Sequence, residues 1–223
     1  MNRKFIMNFL KENPTAMPLL TVAHDYICPW CWVARRQAEK LRDEFPTLDL
    51  VWKGFELLPE GLESVSTPAD KNAPVKPATP SRFDLMLLAE GLKLPVRKRK
   101  YSISRKALEG AEFALEAGKA EAWHDAVYFA YWEESKNIAD WATLKECAEK
   151  AGLDADELKR ALDERKYRER VIEYDDPAHE AGVWNVPTWM FEGNWIAETP
   201  YVVLREKIKL FVEANDNIVR PHY

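Results

Sequence analysis

The chain has 223 residues, 47% of them hydrophobic, and sets 32 Lys and Arg against 37 Asp and Glu for a formal charge of −5. That apolar content suits one large domain, or one domain carrying a sizeable insertion, folding unaided. The acidic balance gives no overall pull toward nucleic acid or anionic lipid, and no run approaches the roughly 18 apolar residues of a spanning helix, so neither nucleic acid nor membrane is an expected partner.

From Met1 to Met17 the apolar residues are interrupted by Lys11, Glu12 and Asn13 before any export signal develops, so residues 1–17 are read as an N-terminal extension of a cytoplasmic protein. Leu19 to Tyr26 is short, apolar and partly alternating, and reads as a strand. It runs into Cys28-Pro29-Trp30-Cys31 and then VARRQAEKLRDEF, a strongly helical stretch. Pro29 suits a first helical turn, where its fixed φ fits and its missing N–H has no helical partner to lose. Leu48 to Leu57 reads as a second strand, which makes the first sixty residues a βαβ unit with a parallel pair.

Between Pro59 and Pro80 lie five of the fourteen prolines, at 59, 68, 74, 77 and 80, as expected of an irregular connection. From Arg82 to about Tyr174 apolar residues recur at helical spacing, which predicts helices over Ser81–Glu90, Ser104–Ala117, Ala120–Glu134, Ala139–Ala151 and Asp154–Tyr174, with Gly118 and Gly152 as stops. Val186–Phe191 and Trp195–Ala197 read as two short strands joined by a turn at Glu192, Gly193 and Asn194, and Tyr201–Ala214 as a closing amphipathic helix. The expected order is βαβ, helical insert, ββα. It divides the chain into a discontinuous α/β domain over 18–62 and 175–216 and a helical insertion over 81–174.

There are three cysteines, 28, 31 and 147, too few and too odd a number for the disulfide framework of a small secreted domain. Spacing of i and i+3 at a helix start puts the first two sulfurs on one face, close enough for a small disulfide ring. Cys28 lies at the helix end, where free N–H groups and the positive end of the dipole stabilise a thiolate, so it is expected to attack. Cys31, one turn further in, is expected to resolve the mixed disulfide, with Pro29 and Trp30 tuning the pair. Structural thiols or half of a zinc site are the competing readings, and the four scattered histidines weaken the second.

CPWC after a strand, a long helical insert and then GVWNVPTWMF resemble the DsbA-like branch of the thioredoxin superfamily. DYICPWCW and the extended insert are similar to the FrnE-like branch, which includes 2-hydroxychromene-2-carboxylate isomerases and kappa-class glutathione transferases. The resemblance implies an α/β, thioredoxin-like fold with a large all-helical insertion. It also implies that Pro187 is a cis-proline facing the cysteines, with the backbone of Val186, Pro187 and Thr188 pairing to substrate like an added strand. The isomerase and transferase relatives carry serine where this chain has Cys28, which favours dithiol chemistry on protein or small-molecule disulfides. No bound cofactor is expected, with glutathione as redox partner. Reduction or isomerisation suits the cytosol better than net oxidation.

Two other readings stand beside this one: a glutathione-dependent isomerase or transferase acting on an aromatic small molecule, and a client-binding or chaperone module without turnover. His24 and Asp25 are weighed as groups acting near the sulfurs, with strand-end packing the expected role. Lys53 and Glu56 are weighed as a buried ionisable group assisting Cys31, with solvent exposure expected instead. Of Trp30, Trp32, Trp184, Trp189 and Trp195, core packing is expected for most. Trp30 is expected to face solvent and touch substrate. Cys147 is expected to be a buried thiol, and Arg97-Lys98-Arg99-Lys100 a solvated basic run.

Overall fold

A computed structural model describes residues 19–58, 79–95, 102–173 and 182–219. The N-terminal extension, most of the proline-rich connection and the basic run at 97–100 lie outside the described residues. β1 (Leu19–His24) leads through a turn into α1 (Pro29–Glu44), and β2 (Asp49–Glu56) returns parallel to β1, from Leu19 opposite Asp49 to His24 opposite Gly54. β4 (Thr188–Phe191) pairs antiparallel on the other side of β1, and β5 (Asn194–Ala197) forms the edge beyond it. Glu192 and Gly193 both have positive φ, as a two-residue hairpin loop requires.

One face of this sheet is covered by α1 and by α7 (Tyr201–Val219): Leu20, Val22, Leu50, Trp52 and Trp189 pack with Ala34, Leu41, Leu204 and Ile208. A second core holds Cys28, Cys31, Tyr26 and Phe55 together with the insert helices α2 (Arg82–Glu90), α3 (Arg105–Glu116), α4 (Ala120–Trp132), α5 (Trp141–Ala151) and α6 (Ala155–Asp163). The cysteine pair therefore sits where the sheet meets the insert. Among the described residues no helix is long and apolar enough to cross a membrane.

Local chemistry explains the helix limits. Ser81 and Asp84 form a reciprocal capping box on α2, Asp154 accepts from the N–H groups of Asp156 and Glu157 at the start of α6, and Gly91, Gly118 and Gly152 take left-handed φ at helix ends. The buried carboxylate of Glu90 joins three elements, accepting from Gln37 Nε2 at 2.9 Å, Lys40 Nζ at 3.0 Å and the first N–H of α7, Tyr201 N, at 2.5 Å.

The helix predicted over Asp154–Tyr174 is shorter. α6 stops at Asp163, Arg165 adopts φ 54°, a single 3₁₀ turn spans Arg168–Arg170, and β3 (Ile172–Glu173) pairs parallel with the outer edge of β2. The left-handed residue ends the helix, and the following Val171-Ile172 run suits a strand better than a helix. The sheet order is β3-β2-β1-β4-β5. Only pairing to a distant strand distinguishes that two-residue piece from the end of a helix.

α3 and α4 approach closely because Gly110 has no side chain. A Cβ built there lies 2.4 Å from Cζ2 of the fully buried Trp123, whose indole donates to Ala107 O at 3.1 Å. Gly110→Ala is therefore expected to destabilise the protein by about 1–3 kcal/mol through overpacking, despite the gain in helix propensity. Urea unfolding reads this, and an unchanged midpoint contradicts the packing account.

Candidate active site

Cys28 occupies the N-cap of α1 with extended backbone, φ −78° and ψ 121°. Its carbonyl accepts from Cys31 N and Trp32 N, both at 3.1 Å, which leaves its side chain at the helix start. The Val186–Pro187 peptide bond is cis, and Cys28 Sγ donates to Val186 O at 3.4 Å. The two predicted motifs, 158 residues apart in sequence, thus meet at the cysteine sulfur. Thr188, next in the strand, turns its hydroxyl to Asn185 O at 2.5 Å and pairs through its backbone with Ala23 and Ala197.

The cysteines are free thiols with different surroundings. Cys28 is 6% exposed, whereas Cys31 is fully buried. Burial first, and then its contact with the Cys28 thiol, pushes the Cys31 thiol well above its ordinary pKa. Cys147 lies buried on α5, its thiol pushed up to about 11 by burial.

His24 and Asp25, at the end of β1, are both fully buried. Burial raises the Asp25 carboxyl to about 6. The carboxyl accepts from Ile27 N at 3.2 Å and Leu57 N at 2.8 Å, tying the turn before Cys28 to the end of β2. Ser104, at the N-terminal end of α3, also bears on this carboxyl and lowers it against the effect of burial. The Asp25 carboxylate and main chain both act on the Cys31 thiol.

Solvent exposure, expected for Glu56 and Lys53, does not hold. Glu56 is completely buried and paired with the equally enclosed Arg105 of α3, and the largely buried Lys53 pairs with Glu112 at 2.6 Å. The insert covers this stretch of β2: a Cβ on Gly54 would lie 3.2 Å from Leu108 Cβ. The same insertion changes the setting of Trp30. It does not project freely into solvent but is half-buried, with Phe83 edge-on at 5.0 Å and the Arg82 guanidinium 5.4 Å from its ring. Trp32 and Trp189 are core residues, while Trp184 and Trp195 are 66% and 41% exposed.

Sequence reasoning missed the groups that α4 supplies. His124 and Tyr128, one turn apart, meet the end of β1: Tyr26 Oη lies 2.7 Å from His124 Nδ1, and His24 Nδ1 lies 3.0 Å from Tyr128 Oη. Trp132 Nε1 donates to Tyr26 O at 2.8 Å. His124, Tyr128 and Trp132, polar groups spaced by four residues in the largely apolar AWHDAVYFAYW, are the signal that was available. Among the described residues no group of three His, Cys, Asp or Glu is placed to hold a metal ion.

Residues 20–209 match the family of the DSBA-like thioredoxin domain. The uncharacterized protein YwbO of Bacillus subtilis (strain 168) is 29% identical over 181 residues, which cover 77% of this chain and 85% of that one. Among solved structures, the probable DsbA oxidoreductase SCO1869 of Streptomyces coelicolor is similar with a TM-score of 0.67 and 24% identity, covering 92% of each chain. The cytosolic disulfide reductase DsbM of Pseudomonas aeruginosa is similar with a TM-score of 0.57 and 18% identity, covering 86% of this chain and 99% of that one. DsbM has also been solved with GSH. At these identities the two structures carry the fold.

Proposed function

We propose, from the premise that the chain belongs to the DsbA-like thioredoxin family, that it is a cytoplasmic dithiol–disulfide oxidoreductase or isomerase acting on protein or small-molecule disulfides. The observation that carries this reading is the Cys28 thiol at the start of α1, 3.4 Å from Val186 O and in contact with the buried Cys31 thiol. The Cys28 thiolate attacks one substrate sulfur, forming a mixed disulfide and expelling the other sulfur as a thiolate. Cys31 then gives up its proton, attacks Cys28 Sγ, and expels the second substrate thiolate. Two electrons pass to the substrate, and the Cys28–Cys31 disulfide remains. Two glutathione thiols restore the dithiol and leave as glutathione disulfide. Val186, Pro187 and Thr188 hold the substrate backbone beside the sulfur, and Pro29 and Trp30 tune the pair.

Cys31 needs a proton acceptor because burial opposes its ionisation. Asp25 is the group assigned to that role, since its carboxyl, raised to about 6, is ionised at neutral pH and can take a proton without leaving the buried site. Asp25→Asn is expected to slow the second step by about a hundredfold while Cys28 is alkylated at the wild-type rate. Stopped-flow decay of a preformed mixed disulfide measures this, and an unchanged decay removes Asp25 from the mechanism.

The reading is tested by equilibrating the protein in glutathione redox buffers and counting alkylatable thiols. The expected result is a two-electron transition in the wild type and, in Cys31→Ser, accumulation of a Cys28–glutathione mixed disulfide. If Cys28 and Cys31 never close a disulfide, the oxidoreductase reading fails.

A further inference from the structure

A cavity of about 680 Å³ opens between α1 and α4, and neither cysteine of the pair nor Pro187 lines it. That volume lies within the roughly 300–1,000 Å³ range of small-molecule sites. Its wall combines aromatic rings, cations and carboxylates. Trp32, Tyr128 and Phe129 supply the rings, and Arg35, Arg36 and Lys150 outnumber the carboxylates of Glu39 and Asp125. Cations thus predominate on the lining itself, while Glu121 and Glu134, which pair with Arg35 and Lys150, stand just outside it.

The groups differ in how firmly they are held. Arg35 is 4% exposed and is fixed by Glu121 and Asp125, so it forms the fixed part of the wall. Arg36 pairs with Glu39 at 2.8 Å and Lys150 with Glu134 at 3.6 Å, both near the surface, where such pairs stabilise little and exchange partners readily. The Arg36 guanidinium lies 5.6 Å from the Trp32 ring, and Lys150 Nζ lies 5.6 Å from that of Phe129. Phe129 remains 50% exposed, while the buried Trp32 has an indole N–H without a hydrogen-bond partner among the described residues.

We propose that this cleft binds a mononucleotide, with the base stacked on Phe129, the phosphate between Arg36 and Lys150, and sugar or base donors facing the Glu39 and Asp125 carboxylates. A plain apolar ligand leaves the cations unused, and a plain anion leaves the rings unused. The carboxylates disfavour both a polyanion and a second acidic group, but they accept hydrogen bonds from hydroxyls and exocyclic amines. Binding here is non-covalent and independent of the dithiol, so it stands or falls apart from the oxidoreductase reading.

The test titrates the full chain with adenosine 5′-monophosphate, following tryptophan fluorescence and saturation-transfer NMR, with adenosine and ribose 5-phosphate as the half-ligands. Saturable one-to-one binding of the monophosphate is expected, with each half-ligand weaker by at least about tenfold. Phe129→Ala should weaken the nucleotide by about tenfold or more, and Arg36→Gln with Lys150→Gln should reduce it to the affinity of adenosine. All these side chains are near the surface, and unchanged urea midpoints and an unchanged dithiol titration would exclude misfolding. No saturation, equal binding of adenosine, or wild-type affinity in Phe129→Ala overturns the proposal. Loss of binding on Trp30→Ala instead moves the ligand to the dithiol and overturns it equally.

Discussion

Replacing Cys28 by Ser is expected to lower disulfide reductase turnover by at least about a thousandfold, because the hydroxyl is essentially un-ionised at neutral pH and is a far poorer nucleophile toward sulfur. The fold should survive, since serine is smaller than cysteine and can still donate to Val186 O, the partner of Cys28 Sγ at 3.4 Å. The readout is reduction of a small aromatic disulfide with glutathione as the electron source, together with the urea midpoint. Retained turnover with an unchanged midpoint rejects Cys28 as nucleophile and favours a glutathione-dependent isomerase or transferase, in which a hydroxyl at that position suffices. Retained binding of an unfolded client in Cys28→Ser with Cys31→Ser, without any turnover in the wild type, favours a binding module instead.

Acidification is expected to destabilise the fold between pH 7.5 and 5 through the imidazole–phenol cluster under the cysteine turn. Burial, with help from the nearby Arg35, lowers His24 to about 3, and burial together with His24 lowers His124 well below its usual value. Both therefore stay neutral in the folded protein while the unfolded chain takes up protons near pH 6.5. Their stabilisation is present above pH 6.5 and is lost as the pH falls toward 3. Asp25 works in the opposite sense. Its carboxyl is raised from 3.8 to about 6, so its contribution is fully present below 3.8 and is lost as the pH rises through 6.

On lowering the pH from 7.5 to 5, the losses at the two histidines outweigh the gain at Asp25, a net loss on the order of 2 kcal/mol. His124→Gln retains an acceptor for the Tyr26 hydroxyl and removes one titration, so its loss should be smaller by about 2 kcal/mol over the same interval. Urea unfolding at the two pH values compares them. Identical losses in the two proteins mean that His124 does not carry the effect.

The arrangement also explains why this part of the site was hard to read from the chain. His24 and Asp25 end a strand, a position that usually reaches solvent. α4 instead crosses it, bringing Tyr128 onto His24 and His124 onto Tyr26 from 104 and 98 residues away. Desolvation, which sets all of these pKa shifts, is a property of the packed insert and leaves no mark in local sequence. Glu56 makes the same point: an ordinary strand carboxylate until Arg105 is brought onto it.

What the sequence determined by itself were the features that depend on near neighbours: the strand–CPWC–helix junction, the parallel β1–β2 pair, the capped insert helices with their glycine stops, and the β4–β5 hairpin. Each follows from backbone sterics, side-chain periodicity or capping within a few residues, so the information is local. Tertiary structure alone decided that Ile172-Glu173 adds an edge strand to the sheet, that Trp30 is roofed by α2, and that Asp25, Glu56 and His24 are enclosed. Those outcomes require one segment to exclude water from another far along the chain, and only the assembled cores specify which surfaces meet.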